Sequence, residues 1–165
     1  MIRSLLSLCL FSKPPQDIPY SPTALRGALM ATIAAQTLGN MLFAKSSAFG
    51  VALTQTAVIG LSLWFLLHLF GLKERWTQSA TAVFGCAAIL NVLGLPLLGF
   101  IDPNAENLSN ALLLALLLDL WFYAVVAYIL KHALEISTAL SIVITMVILM
   151  ALILSVMYLF GGRIG

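Results

Sequence analysis

Long apolar runs separated by short polar or helix-breaking punctuation set the rhythm of this chain. Five runs stand out, at about 22–43, 48–70, 77–101, 108–130 and 136–160. Each holds about 20 residues or more, the length of helix that crosses a hydrocarbon core of about 30 Å. The punctuation is Lys45 after the first run, Gly71 to Trp76 after the second, Asp102-Pro103-Asn104 after the third and Lys131-His132-Ala133-Leu134-Glu135 before the last. Lipid offers an open backbone no hydrogen bonds, so such runs fold as helices. The pattern predicts an all-α fold, a polytopic membrane helix bundle with five predicted transmembrane helices. Short connections predict consecutive helices that are antiparallel neighbours.

Helix-end chemistry agrees with these limits. Ser21 followed by Pro22 supplies a capping hydroxyl and a preset φ at the first helical position, and Asn107 or Ser109 can cap the fourth run. Ahead of the first run, Ile2, Leu5, Leu6, Cys9 and Leu10 fall near one helical face. No small-x-small cleavage site follows Leu5 to Phe11, and no small residue precedes Cys9 as a lipoprotein signal requires. Residues 1–21 are therefore expected to form a cytoplasmic interfacial segment along the inner headgroups, and residues 22–165 the membrane bundle.

Composition sharpens the choice of solvent. The 165 residues are 62% hydrophobic and 8% charged, with a mean hydropathy of +1.08. Soluble domains carry roughly 25% charged residues, which excludes a water-soluble globule of this size. Eight Lys and Arg against six Asp and Glu leave a net charge of +2. They form no clustered basic face, so no nucleic-acid partner is expected. Their placement is informative: with the N-terminus cytoplasmic, Arg3, Lys13, Arg26, Lys73, Arg75 and Lys131 lie inside, and Lys45 and Arg163 outside. The bias predicts a multi-pass protein of the cell inner membrane with its C-terminus outside. Cys9 and Cys86 lie in separate apolar segments with no disulfide or metal spacing, and are read as small hydrophobes.

Within the runs, only Asp119 carries charge near the middle of a span. Insertion there costs roughly 2.5–3.5 kcal/mol, which makes such a residue a functional candidate. A short carboxylate stem cannot snorkel, so Asp119 needs a partner at its own depth. Asn91 of the third run reaches that level, Tyr123 lies one turn along the same face, and Thr145 of the last run comes close. These four form either a structural hydrogen-bond clamp or a proton or cation site. A second polar level holds Gln36 and Asn40 with Gln55, expected to form an interhelical amide bond. Small residues recur every four positions, as Gly27, Ala31, Ala35 and Gly39 in one run and Ala52, Thr56 and Gly60 in the next, and predict close helix packing. His68 and His132 lack further ligands, no nucleophile, phosphate loop or carboxylate pair is recognisable, and neither enzyme nor cofactor is expected.

Five closely spaced spans, the lead Pro14-Pro15-Gln16-Asp17-Ile18-Pro19-Tyr20-Ser21-Pro22 and the Lys131-His132-Ala133-Leu134-Glu135 hinge together resemble bacterial members of the Rab-interacting Yip integral membrane protein family. In eukaryotes the resemblance implies vesicle trafficking through a long cytoplasmic N-terminal region and prenylated GTPases. Here only about 21 residues precede the first run. The reading reached from the residues is a non-enzymatic accessory, scaffold or organising subunit, packing against membrane lipid, a membrane-protein partner or another copy of itself. The alternative is a small transporter or channel component using Asp119.

Overall fold

The computed structural model describes residues 2–42, 47–100 and 110–161. These hold α1 (Ile2–Cys9), α2 (Pro22–Asn40), α3 (Ala48–Leu69), α4 (Trp76–Leu98), α5 (Asn110–Leu134) and α6 (Thr138–Phe160), with 3₁₀ turns at Pro15–Asp17 and Lys73–Arg75 and no described strand. Four helical stretches are long and apolar enough to cross a membrane: α3, Lys73–Leu98, α5 and α6. The first expected span is different. As α2 it ends at Asn40 and has 19 residues, about 28 Å, but Arg26, Thr32, Gln36, Thr37 and Asn40 keep it out of that apolar class. The expected roles of Lys45, Asp102, Asn107, Ser109 and Arg163 lie outside the described residues.

The helix ends follow local chemistry. Ser21 Oγ accepts the Ala24 amide at 3.2 Å ahead of Pro22, and Ser137 Oγ accepts the Leu140 amide at 3.3 Å. Three helices stop with a residue in the left-handed region followed by an amide that reaches back five positions. At α3 the residue is Gly71 (φ 73°), with Leu72 N on Leu67 O at 2.8 Å. At α5 it is Glu135 (φ 58°), with Ile136 N on Lys131 O at 3.1 Å. At α1 it is Phe11 (φ 57°), with Ser12 N on Ser7 O at 2.8 Å. Arg75 braces the α5 terminus, donating to the Ala133 carbonyl at 3.2 Å and pairing with Glu135 at 2.6 Å.

The five long helices close a ring: α2 packs on α3 and α4, α3 on α6, α6 on α5, and α5 on α4. This corrects the expectation that every consecutive pair would be close neighbours. The main partners of α4 are α2 and α5, and its contact with α3 is slight by comparison. The cause is side-chain size. On α2 the buried face is Ala24, Ala28, Thr32, Ala35 and Gly39, and on α4 every residue from Ser79 to Ala88 is buried. In lipid no hydrophobic force draws helices together, so the close approach that small residues permit decides the pairing. Thr32 Oγ1 bridges the two backbones, donating to the Phe84 carbonyl at 2.6 Å.

The expected stripe of Gly27, Ala31, Ala35 and Gly39 divides. Ala35 and Gly39 are buried, whereas Gly27 and Ala31 are exposed and a Cβ at Gly27 would meet nothing within 4 Å. A strict four-residue step drifts about 40° per turn at 3.6 residues per turn, so only a pattern mixing steps of four and three stays on one face. On α3, Ala52 and Thr56 are buried, and a Cβ at Gly60 would stand 3.4 Å from the Phe84 ring.

The N-terminal segment docks on the bundle. Leu5, Leu8 and Cys9 are buried, while Ile2, Leu6 and Leu10 are exposed, so the expected apolar face is split between bundle and surroundings. Leu5 sits over Gly85, nine residues into α4, about 13 Å along that helix. Cys86 Sγ meets the Leu5 carbonyl at 3.8 Å, and Trp121 Nε1 donates to the Cys9 carbonyl at 3.0 Å. Phe11 packs on the rings of Trp121 and Tyr128, each at 5.3 Å. The chain then runs to the ends of α4 and α5, where Pro15 is buried, Gln16 donates to the His132 carbonyl at 3.1 Å and Gln78 donates to the Ile18 carbonyl at 3.0 Å.

A Cβ at Gly85 would come within 2.7 Å of both Leu5 methyls. Gly85→Val is therefore expected to lift α1 from α4, with an overpacking cost of about 1–3 kcal/mol. Maleimide labelling of Cys9, buried in the wild type, checks this. Labelling as slow as in the wild type would show that α1 has not moved.

Candidate functional site

The ring is packed differently along its length. Toward the ends that carry Arg75 and Lys131, Leu63, Leu67, Val83, Phe84, Val125, Ile129 and Leu130 fill the interior. Toward the other ends, where α2 and α4 finish and α3 and α5 begin, small and polar side chains replace them. There a cavity of about 250 Å³ is lined by Gln36, Gly39 and Asn40 of α2, Gln55 and Ile59 of α3, Asn91 and Leu98 of α4, Asp119, Phe122 and Tyr123 of α5, and Leu152 of α6. All five long helices contribute. A smaller space of about 80 Å³ continues between α4 and α5, and Asn91 and Asp119 line both.

Helix register explains this convergence. Asp119 lies nine residues after the start of α5 and Asn91 seven before the end of α4, about 10–14 Å from the same end of the ring. Gln55 lies seven residues into α3, at the same depth, and Gln36 four residues before the end of α2, somewhat nearer that end. The two polar levels distinguished in the sequence are thus one site. Close approach of α4 at Gly39, where a Cβ would stand 3.2 Å from Leu98 Cδ1, brings the amides of α2 to the same space as Asn91.

Hydrogen bonding divides the lining into a braced half and an open half. Asn40 Nδ2 donates to Gln55 Oε1 at 3.4 Å, and Thr56 Oγ1 donates to Gln36 Oε1 at 3.0 Å, so amide contacts join α2 to α3. Across the cavity, Asn91 Nδ2 turns to the Ala87 carbonyl of its own helix at 2.7 Å. Among the described residues, the Asp119 carboxyl has neither a hydrogen-bond partner nor an ion pair. The four-residue clamp is therefore not formed. Thr145 lies off the cavity, buried, with its hydroxyl on the Ser141 carbonyl at 2.8 Å and its side chain in the α5–α6 crevice that Tyr123 also touches.

The histidines take local partners at the opposite end. His68 stacks on Trp64 at 5.2 Å, and His132 Nδ1 meets the Tyr128 carbonyl at 2.9 Å. No group of three or more metal-binding side chains occurs among the described residues. The Ile59, Phe122 and Leu152 walls of the cavity escaped sequence reading, because apolar residues that face a cavity carry the same signal as those that face lipid. No protein-family model, curated protein or solved structure matches the chain.

The bonding pattern separates structural from site residues. Asp119→Asn removes no hydrogen bond and is expected to leave melting within about 0.5 kcal/mol of the wild type. Thr32→Val, which deletes the buried link to Phe84, is expected to destabilise by about 1 kcal/mol. Paired thermal melts of the two variants in one detergent test the ranking. A large loss for Asp119→Asn would mean that its carboxyl braces the bundle.

Proposed function

We propose that this membrane protein binds a small cation, or a small solute bearing an ammonium group, in the five-helix cavity, and acts as a carrier component for it. The carrying observation is the Asp119 carboxyl, facing a polar cavity whose lining holds neutral amides, a phenol and no basic side chain. An uncompensated carboxylate at membrane depth is expensive, and an entering cation would supply the missing partner. Gln36, Gln55, Asn91 and Tyr123 offer the mixed donors and acceptors that replace a solute's water shell. The apolar packing beyond the cavity argues for a carrier with one sealed side over an open pore. An accessory or scaffold role accounts for the small-residue packing faces but gives no reason for the cavity.

In this reading α2 crosses the membrane as the fifth span. Its Thr32, Gln36 and Asn40 turn into the ring, while Met30 and Leu38 are exposed, so its average polarity understates how apolar its outer face is. The end bearing Lys13, Arg26, Lys73, Arg75 and Lys131 is then cytoplasmic, in the inner membrane, by the bias of basic residues. Kinship with the Yip family is part of the proposal and rests on the proline-bearing lead and the Lys131–Glu135 hinge.

Binding of sodium, potassium, methylammonium and choline to purified protein, followed by thermal shift and then by flux into vesicles, tests the proposal. One of these cations is expected to bind. Asp119→Asn should weaken that binding ten- to a hundredfold at unchanged yield, the loss of one charge-assisted contact. Binding that survives the substitution, or no response to any cation together with a stoichiometric co-purifying protein, would return the molecule to an accessory role.

A further inference from the structure

The outer surface of the bundle carries a second feature, in the α5–α6 seam, which adjoins the cavity at Tyr123. Between α5 and α6 an apolar groove runs along the helices in two joined stretches of about 230 and 150 Å³, which share Ala124, Ala127 and Ile142. At one end its walls are Phe11, Tyr128 and Lys131, and at the other Leu120 and Met146. Two alanines on α5 open the space. Ser141 and Thr145 add no polar demand to it, because each hydroxyl is already spent on a carbonyl of its own helix, Thr138 and Ser141, at 2.8 Å.

Length and charge indicate the occupant. From Leu120 to Lys131 the groove follows eleven residues of α5, about 16 Å, close to half of a 30 Å hydrocarbon core and so to the acyl layer of a single leaflet. Its mouth lies at the end of the ring where the basic residues gather. Lys131 there has no carboxylate partner among the described residues, since Glu135 on the next turn is held by Arg75 at 2.6 Å. Lys13 follows Phe11 by two positions and is exposed. An unpaired ammonium over a chain-length apolar slot matches a lipid whose headgroup is an anionic phosphate.

We infer that the α5–α6 groove is a binding site for one anionic phospholipid, with an acyl chain along Ala124 and Ala127 and its phosphate on Lys131. The lipid fills the seam between the last two helices and links it to the aromatic turn at Phe11 that holds α1.

The test is lipid retention by the full chain. Protein exchanged into detergent micelles containing equal amounts of phosphatidylglycerol and phosphatidylcholine of the same acyl length is examined by intact mass spectrometry. The wild type is expected to retain one phosphatidylglycerol, favoured about fivefold over phosphatidylcholine, the preference one lysine gives at a membrane surface. Lys131→Ala should remove the preference and Lys131→Arg restore it. Ala124→Leu, at an exposed position, should expel both lipids while melting remains that of the folded protein. Equal retention of the two lipids by the wild type would overturn the assignment. So would a preference untouched by Lys131→Ala, or cross-linking of Ala124→Cys between two chains, which would put a second copy over the groove.

Discussion

The parallel approach of α2 to α4 is the contact on which the rest of this structure depends. Lipid gives no hydrophobic reason for two helices to associate, so the pair is held by what small side chains allow: short backbone distances, many dispersion contacts and a hydroxyl bridging to a carbonyl. Thr32 supplies that bridge at 2.6 Å, and Ala28, Ala35 and Gly39 the approach. With α2 set against α4, α3 is moved to the far side of α2, and α6 closes the circle between α3 and α5. A bundle joined only in chain order would bring α3 against α4. Its interior would then be shared by different faces, and the amides of α2 would not meet Asn91 and Asp119.

The N-terminal segment shows how a locally unfavourable conformation is tolerated. A bulky residue in the left-handed region costs about 1–2 kcal/mol, and Phe11 adopts it. The same ring packs on Trp121 and Tyr128, each contact contributing about 0.5–1.5 kcal/mol, and Trp121 also donates to the Cys9 carbonyl. The aromatic contacts offset the turn, and the turn in turn aims α1 at Gly85. Glu135 meets a smaller version of the problem at the end of α5, where its strain accompanies a pairing with Arg75.

Along the ring, the contrast between its halves carries the functional argument. One half is filled by Phe84, Leu63, Leu67, Val125 and Ile129, which leave little room. The other half leaves about 250 Å³ bordered by amides and a single carboxylate. The second gives up dispersion contacts, and among the described residues its carboxylate has no hydrogen-bond or ion-pair partner.

Much of this was legible in the residues. The helices, most of their limits, the Ser21-Pro22 start and the isolation of Asp119 follow from short-range rules: apolar length, capping hydroxyls, and the cost of charge in lipid. The Asn40–Gln55 contact also follows, because one turn joins those helices and depth can be counted from it, whereas the Thr56 hydroxyl on Gln36 was not foreseen. What remained hidden depends on rotation and neighbour order. A four-residue repeat does not say which side of α2 turns inward, and a glycine at position 85 does not announce that Leu5 lies over it. Sequence by itself determined that lipid is the solvent, that the chain is helical and that a single carboxylate lies near the middle of a span. Tertiary structure alone decided that α2 pairs with α4, that two polar levels form one cavity and that Thr145 stands outside it, because those facts rest on which small faces pack most closely, a property of two helices together.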